Sequence, residues 1–365
     1  MSLQPSDYPL VDDPLALREL TERLSDCPML AIDTEFIREK TFYPELCVLQ
    51  IATGEFAAAV DCLAAIDLRP LFAALLAADK TWLLHSARQD LEVLFNLASG
   101  LPQRLIDTQI AAALLGNPLQ IGLQSMLQST LGVSIAKEHT RADWSRRPLT
   151  DALLAYALDD VRFLPAAWAE LRTRLVDVGR LAWFEEECER LLRLPIQPDT
   201  AALFERTKGA GGLTGKRRSA AMALLDWRET RAQQSNRPRR WILSDDQLVR
   251  IAMALPSSPA ALRDLPDLPE KLIARSGEAI VNAVQNAPAT SDTPVVVAPE
   301  KSEVRSLQSA VKERAASLGI QPELLATRKD INLIAIGQAP AYLIEGWRNA
   351  ILGDLLTGRP AGRAR

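Results

Sequence analysis

The 365-residue sequence has few of the residues that build disulfide frameworks, zinc sites or membrane spans. It contains four cysteines without a CxxC pair and two histidines, so neither a disulfide scaffold nor a Cys/His zinc site is expected. The longest apolar run, LFAALLAA from Leu71, is too short to cross a bilayer. The N-terminal segment lacks the basic and apolar regions of a secretory signal. We therefore expect a cytoplasmic protein with reduced cysteines and no membrane association.

The chain is slightly acidic overall, but one stretch of it is strongly basic. The net charge is −4, yet ten Lys/Arg between Arg206 and Arg240 face only Asp226 and Glu229. A solvated helix face would usually mix the two signs, whereas contact with phosphate groups needs a localised excess of cations. We expect phosphate contacts from this basic tract, and its candidate residues are Lys216, Arg217, Arg218, Arg237, Arg239 and Arg240.

The order of sequence patterns predicts a mixed α/β domain followed by helical units. Short strands are predicted at MLAIDTEF, CVLQIA, FAAAVD and TWLLH, and residues from Asp107 to Arg193 are almost wholly helical in pattern. Pro195 and Pro198 mark a boundary, and the proline-rich stretch NAPATSDTPVVVAPEK separates two later helical units of similar pattern. This similarity indicates a distant internal duplication. We expect domains at residues 1–194, 203–287 and 300–365.

Acidic side chains occur at intervals in otherwise apolar segments of the first domain. Asp33 and Glu35 lie two apart on a predicted strand, and Tyr156 and Asp160 lie four apart on a predicted helix, so each pair shares a face. Asp90 falls in a first helical turn, where an acid can simply complement the helix dipole. Because no Lys or Arg adjoins Asp33 and Glu35, a hard divalent cation is the expected counter-charge.

In motif order and spacing, almost the whole chain resembles the ribonuclease D family, 3′→5′ exoribonucleases of the DEDDy group. The motifs are LAIDTEFIREKTFYPELCVLQIA, LLHSARQDLEVL, LIDTQIAAALLG and DWSRRPLTDALLAYALDDVRFL. The later segment LLDWRETRAQQSNRPRRWILSDDQLVRIA is similar to an HRDC (helicase and RNase D C-terminal) domain. The resemblance implies an RNase H-like, DnaQ-like mixed sheet flanked by helices, followed by two all-α HRDC-like domains.

The resemblance also implies the roles of the acidic residues and of Tyr156. Two divalent ions, Mg²⁺ or Mn²⁺, would be held by Asp33, Glu35, Asp90 and Asp160. Such ions, about 3.5–4 Å apart, clamp the attacking and leaving oxygens of a phosphodiester. Tyr156 would orient the attacking water, since a phenol of ordinary pKa near 10 is a poor base. Asp159 competes with Asp160, but it fits the Y-x-x-x-D spacing less well.

Four further residues are candidates for contact with the terminal nucleotides, namely Gln50, His85, Trp144 and Arg147. Tryptophan offers a stacking face and arginine binds phosphate, but Trp144 and Arg147 could equally anchor a loop. His85 fits a loop position better than a direct catalytic role.

The leading hypothesis is a monomeric, metal-dependent 3′→5′ exoribonuclease that releases nucleoside 5′-monophosphates during 3′ maturation of tRNA precursors. The basic tract would hold the body of the RNA. A DNA 3′→5′ exonuclease of the proofreading type would share the metal chemistry, although the W-x-x-RPL segment and the HRDC-like tail favour RNA. A non-catalytic RNA-binding protein is the other alternative, and the presence of all four acids and Tyr156 disfavours it.

Overall fold

The computed structural model describes residues 10–135, 142–288 and 299–357, and these residues form two compact units. The first unit is drawn from Met1–Ile37, Leu46–Leu194 and Val297–Arg365, and the second from Arg38–Glu45 and Pro195–Val296. Most of the proline-rich stretch NAPATSDTPVVVAPEK lies outside the described residues. No helix in the described ranges is long and apolar enough to cross a membrane.

A six-stranded mixed sheet forms the centre of the first unit. Its strands are β1 (Leu10–Val11), β2 (Met29–Ile37), β3 (Glu45–Ala52), β4 (Ala57–Asp61), β5 (Thr81–Leu84) and β6 (Arg104–Asp107). The strand order is β1-β4-β3-β2-β5-β6, with β3 and β4 antiparallel and β1–β4, β2–β5 and β5–β6 parallel. The sheet confirms the predicted mixed α/β fold. The patterns did not predict β1 and β6, which are too short to show a clear alternation.

Helices cover the sheet, and β3 and β4 are therefore buried along almost their whole length. The first helix begins where Asp13 accepts hydrogen bonds from Leu15 N and Ala16 N at 2.8 and 3.0 Å, with Pro14 in the first turn. The helices of this part are α1 (Pro14–Ser25), α2 (Arg69–Leu75), α3 (Arg88–Ala98), α4 (Thr108–Leu114), α5 (Leu123–Leu131), α6 (Asp151–Arg162), α7 (Leu164–Asp177) and α8 (Leu181–Arg193).

The second unit is helical, with a core that includes Leu224, Ile251 and Ile280. The loop segment Arg38–Glu45 belongs to it because the side-chain oxygen of Asn236 accepts hydrogen bonds from Phe42 N and Tyr43 N, both at 3.0 Å. The helices of this unit are α9 (Thr200–Arg206), α10 (Gly215–Ser235), α11 (Arg239–Ile242), α12 (Asp245–Ala254), α13 (Pro259–Arg263) and α14 (Glu270–Gln285).

The last helices return to the first unit and pack on α8. The rings of Trp183 and Trp347 stack with centroids 4.5 Å apart, and Trp347 Nε1 donates to Glu187 Oε1 at 3.0 Å. Arg348 forms a buried ion pair with the same Glu187 carboxylate. These helices are α15 (Lys301–Leu318), α16 (Pro322–Leu325), α17 (Arg328–Ala335), α18 (Ala341–Ile344) and α19 (Trp347–Thr357).

The sheet order brings the predicted acidic segments to one edge. Strand β2 pairs with β5 only from Met29 to Ala31, so its second half, which carries Asp33, extends beyond β5. The chain leaves β5 at Leu84 and enters α3, whose first turn contains Asp90. Because β2 and β5 are parallel, the two segments lie at the same edge of the sheet, a usual place for binding sites in such folds.

Candidate active site

Three carboxylates converge at this edge of the sheet. Asp33 and Glu35 project from β2 and Asp160 from α6, and one oxygen of each lies within 4.8 Å of the others. Helix α6 begins at Asp151 and is capped by Thr150, whose hydroxyl accepts from Leu153 N at 3.3 Å. The structure places Asp160 in this group, whereas its neighbour Asp159 forms an ion pair with Arg162 at 2.6 Å. The three oxygens together form a compact set of hard ligands.

Asp90 lies beside this group rather than within it. Its side chain is buried, and the hydroxyl of Thr34 donates a hydrogen bond to Asp90 Oδ1 at 2.5 Å. Thr34 therefore fixes the position of Asp90 from the strand that carries Asp33 and Glu35. Sequence reasoning missed this contact, because a threonine inside a strand gives no signal of its partner 56 residues later.

The pKa values of the four acids are raised, because ionising them together in this buried site is costly. Burial, followed by the charges of Asp90, Asp160 and Glu35, holds the pKa of Asp33 well above its ordinary range. Burial is also the main cause that raises the pKa of Glu35 to about 8 and those of Asp90 and Asp160 to about 7. None of the four forms an ion pair with another described residue. A divalent cation fits this oxygen donor set and would supply the missing charge.

Tyr156 lies one turn before Asp160 on α6 and is half-buried. Burial, with the charges of Asp160, Glu35 and Asp33, raises the pKa of its phenol. The phenol therefore stays protonated at neutral pH and can donate a hydrogen bond. Its ring packs against that of Trp144, with centroids 6.2 Å apart.

Arg147 and Trp144 belong to a loop that is fastened to the sheet. Arg147 Nε and Nη2 donate to the two carboxylate oxygens of Asp61, both at 2.6 Å, and Nη2 also donates to Cys47 O at 2.9 Å. Nη1 donates to Trp144 O at 2.7 Å, and the Trp144 side chain is only 4% exposed. This arrangement favours the loop-anchor alternative for both residues over direct contact with nucleotides, because the guanidinium donors are already engaged.

Replacing Arg147 by Ala is expected to lower the free energy of unfolding by about 2–3 kcal/mol, because Asp61 would keep a largely buried charge without its partner. Urea denaturation measures this change. Arg146→Ala is the matched control, since Arg146 is exposed and its partner Asp143 is too, so a change below about 1 kcal/mol is expected. Equal losses in the two variants would contradict the anchoring role.

His85 is held inside the same edge of the sheet. Its Nδ1 lies 2.9 Å from Thr108 Oγ1, and its Nε2 donates to the carbonyl oxygen of Ile121 at 2.9 Å. Burial lowers its pKa, so the ring is neutral near pH 7. Nearby, Asp107 accepts from Ser86 N and Ala87 N at 3.0 and 2.9 Å, which shapes the turn before α3. His85 and Asp107 both hold the backbone in position. The sequence signal for Asp107 was its place in LIDTQ, at the start of a segment with a helical pattern.

Gln50 lies in the middle of β3 and is fully buried. Neither its amide nitrogen nor its amide oxygen has a hydrogen-bond partner among the described residues. A buried, unpaired amide of this kind costs about 1–3 kcal/mol. The contact of Gln50 with a terminal nucleotide stays a prediction.

In the fold of the second unit, some cations of the basic tract have structural partners and others are exposed. Arg239 pairs with Glu229 and lies over the ring of Phe42, while Arg218 lies over the ring of Phe204. These two cations are therefore partly committed to structure. The remaining members are exposed, namely Lys216, Arg217, Arg237 and Arg240.

Two family descriptions match the chain. The 3′-5′ exonuclease family matches residues 8–176, and the HRDC domain family matches residues 218–284. The first match contains all of the converging acids and Tyr156, and the second contains most of the helical second unit. They support a DnaQ-like exonuclease domain and one HRDC domain.

Individual relatives extend this similarity to nearly the full length. The chain is 34% identical to Ribonuclease D from Acidiphilium cryptum over 98% of this chain and 95% of that one. It is 35% identical to Ribonuclease D from Xanthomonas oryzae over 92% and 94% of the two chains. The crystal structure of Escherichia coli RNase D, described as an exoribonuclease involved in structured RNA processing, superposes with a TM-score of 0.82 at 30% identity, covering 96% and 97%. The chain therefore belongs to the ribonuclease D family of 3′→5′ exoribonucleases.

Proposed function

We propose that this 3′→5′ exoribonuclease shortens 3′-extended tRNA precursors and releases nucleoside 5′-monophosphates. The observation that carries the chemistry is the convergence of Asp33, Glu35 and Asp160 within 4.8 Å, with Asp90 held beside them by Thr34. The similarity to an enzyme of structured RNA processing supports the choice of substrate.

Exonucleases of this fold depend on divalent metal ions, and the donor set described above fits them. We infer that two ions, Mg²⁺ or Mn²⁺, are held by Asp33, Glu35, Asp90 and Asp160. When bound, such ions stabilise the negative charge that develops on the phosphate and lower the pKa of the attacking water. Since the raised carboxyl pKa values mean that protons must leave before ions bind, metal affinity should increase from about pH 6 to about pH 8.

Tyr156 acts in this proposal as a hydrogen-bond donor that orients the attacking water. Its phenol remains protonated because its pKa is raised above the ordinary value, so it does not serve as the general base. The buried Trp144 ring supports the orientation of the phenol from one side.

Removing the phenolic hydroxyl with Tyr156→Phe is expected to lower kcat by about 10²-fold, because orientation of the water is lost while the metal ligands remain. Metal affinity, measured by calorimetric titration, should change little. Tyr43→Phe serves as the control, since Tyr43 belongs to the second unit, and it should leave kcat unchanged. A Tyr156→Phe enzyme of normal kcat would remove Tyr156 from the mechanism.

We further propose the domain limits 1–194, 203–287 and 300–365, with the last as a second HRDC-like domain. Helices α10–α14 and helices α15–α19 follow the same order of lengths: long, short, intermediate, short and long. In both sets the intermediate helix begins with a capping box, formed by Ser244 with Gln247 and by Thr327 with Asp330. Both short second helices follow or begin with proline, at Pro238 and Pro322.

The exposed members of the basic tract are proposed to contact the phosphates of the RNA body, and the enzyme is proposed to act as a monomer in the cytoplasm. The free cysteines support the reducing compartment. The RNA contact is consistent with the local excess of positive charge in an otherwise acidic chain.

A digestion assay tests the proposed function. Purified protein is incubated with a 3′-extended tRNA, with mature tRNA and with matched single-stranded RNA and DNA, with Mg²⁺ or Mn²⁺ omitted and restored. We expect metal-dependent ladders from the RNA 3′ end, release of 5′-monophosphates, and arrest near the mature tRNA end. Faster digestion of DNA than of RNA would favour the proofreading-type alternative. Binding without any cleavage would favour the non-catalytic one.

A further inference from the structure

We propose that Thr34 is a positioning residue that gives the two oxygens of Asp90 different tasks, with Oδ1 held by the fold and Oδ2 left to bind a divalent ion. Thr34 acts through Asp90 on the affinity of the site for metal and touches neither the RNA nor the reacting atoms. This inference rests on the proposed function and adds to it a residue outside the set of metal ligands.

Thr34 occupies a special place on β2, between two of the candidate ligands. Because side chains alternate along a strand, Asp33 and Glu35 project from one face of β2 and Thr34 from the opposite face. The face of Asp33 and Glu35 meets α6, which carries Asp160. Helix α3 also packs against β2, and its first turn supplies Asp90, which Thr34 contacts. Strand β2 thus connects the three converging acids to a fourth acid that a different helix supplies.

The contact between Thr34 and Asp90 is short and shielded from solvent. The Thr34 hydroxyl donates to Asp90 Oδ1 at 2.5 Å, and the two residues are 6% and 7% exposed. A distance this short is typical of a hydroxyl that donates to an ionised carboxylate, the form of Asp90 that binds a cation. Among the described residues, no other side chain donates a hydrogen bond to Asp90. The contact therefore fixes the rotation of the carboxylate and leaves Oδ2 without a side-chain donor.

Asp90 is the acid of this site that most needs such support. Asp33, Glu35 and Asp160 each have an oxygen within 4.8 Å of the others, so one cation can hold all three, whereas Asp90 lies outside that group. Groups that hydrogen-bond a metal ligand fix its orientation, and replacing them typically costs about 10–100-fold in metal affinity or activity. A threonine hydroxyl supplies this bond from a buried strand without adding a charge to the site.

Thr34→Val tests the inference, because it removes the hydroxyl and keeps the shape of the side chain. Titration of the full-length protein with Mn²⁺ in the absence of RNA, followed by the electron paramagnetic resonance of free Mn²⁺, measures affinity without any reaction. We expect the Mn²⁺ concentration at half-saturation to rise about tenfold or more. The concentration for half-maximal RNA hydrolysis should rise by a similar factor, and saturating Mn²⁺ should recover most of kcat.

Two variants at the same position complete the test. Thr34→Ser keeps the hydroxyl and should bind Mn²⁺ within about threefold of the wild type. Thr34→Ala lacks the hydroxyl and also the bulk of valine, so it replaces Thr34→Val as the test if the valine variant does not fold. Melting curves in EDTA verify that each variant is folded.

The matched control is Thr207→Val, the same chemical change at another buried threonine. Thr207 is also 6% exposed, belongs to the second unit, and donates from its hydroxyl to Leu203 O at 2.8 Å. This variant loses a buried hydrogen bond but none that reaches a candidate ligand. Its affinity for Mn²⁺ should stay within about twofold of the wild type.

The outcomes separate this inference from the proposed function. If the wild type binds Mn²⁺ and shortens RNA while Thr34→Val binds Mn²⁺ equally tightly, Thr34 has no positioning role and the enzyme stands. A loss of kcat that saturating Mn²⁺ does not recover would also overturn the inference, as would equal shifts in Thr34→Val and Thr207→Val. Failure of the wild type to bind Mn²⁺ or to shorten any RNA would instead contradict the proposed function.

Discussion

Asp33→Asn is expected to lower the rate of RNA hydrolysis by at least about 10³-fold, and to make the metal-free protein more stable than the wild type at about pH 8. The loss of rate follows because Asp33 belongs to the converging oxygen donors at the edge of the sheet, and a neutral amide oxygen binds a hard divalent cation more weakly than a carboxylate does. Single-turnover assays with Mn²⁺ and melting curves in EDTA measure the two effects.

The gain in stability follows from the raised pKa values. Burial and the neighbouring carboxylates raise the pKa of Asp33, and the pKa of Glu35 is about 8 in the folded protein. The folded protein therefore retains protons that the unfolded chain releases above about pH 4.5. This contribution to stability is fully present below that pH and is lost as the pH rises through about 8. The Asp33→Asn variant avoids the loss, so the difference in Tm should be a few degrees at about pH 8 and smaller at about pH 5.

Two neighbouring variants sharpen the test. Asp160→Asn should behave like Asp33→Asn, whereas Asp159→Asn should retain hydrolysis within about tenfold, because Asp159 pairs with Arg162 instead of joining the group. Added Mn²⁺ should raise the Tm of the wild type and of Asp159→Asn, but much less that of Asp33→Asn. An Asp33→Asn enzyme with near-normal hydrolysis would exclude Asp33 from the site.

Arg348→Ala is expected to lower the free energy of unfolding of the first unit by about 3–5 kcal/mol. Arg348 and Glu187 are 3% and 2% exposed, and Arg348 Nε also donates to Leu324 O at 3.0 Å. Removal of the guanidinium would leave the buried Glu187 carboxylate with only Arg190 and the indole of Trp347 as partners among the described residues. Urea denaturation, followed by the fluorescence of the stacked tryptophans, measures the loss.

The ion pair between Glu187 and Arg348 also makes the stability of this part of the protein depend on pH. Burial alone would raise the pKa of Glu187, but hydrogen bonds and charges from Arg348 and Arg190 outweigh it and lower that pKa. The stability from this group is therefore present above the ordinary glutamate pKa and is lost as the pH falls through the lowered value. Arg305→Ala, at an exposed position on α15, is the control and should change stability by less than about 0.5 kcal/mol. Joint replacement by Glu187→Leu and Arg348→Met should recover part of the loss, whereas an additive result would contradict a coupled pair.

Pairs of site residues within one element could be predicted from sequence. The two-residue period of a strand places Asp33 and Glu35 on one face, and the helical period does the same for Tyr156 and Asp160. The structure has both pairs on the expected elements, β2 and α6. Local spacing could not show that Thr34 holds Asp90, because that hydrogen bond joins residues 56 positions apart.

The chemistry of a side chain does not by itself show how burial and ion pairing restrict it. Trp144 and Arg147 have the chemistry for stacking and phosphate contact, but Asp61, 86 positions earlier, engages the guanidinium and the indole is buried. In the sequence, nothing distinguishes Asp61 from other acids at the ends of strands. In the same way, counting cations along the tract could not show that Arg239 pairs with Glu229.

The sequence by itself determined the fold class, the order of the motifs, the side chains that share a face and the family resemblance, because these depend on local period and spacing. Only the tertiary structure decided which carboxylates meet, which cations remain free of acidic partners within the described ranges and where the last helices pack. Those properties depend on distance and burial between residues far apart in the chain, where desolvation and ion pairing are set by packing rather than by neighbours in sequence.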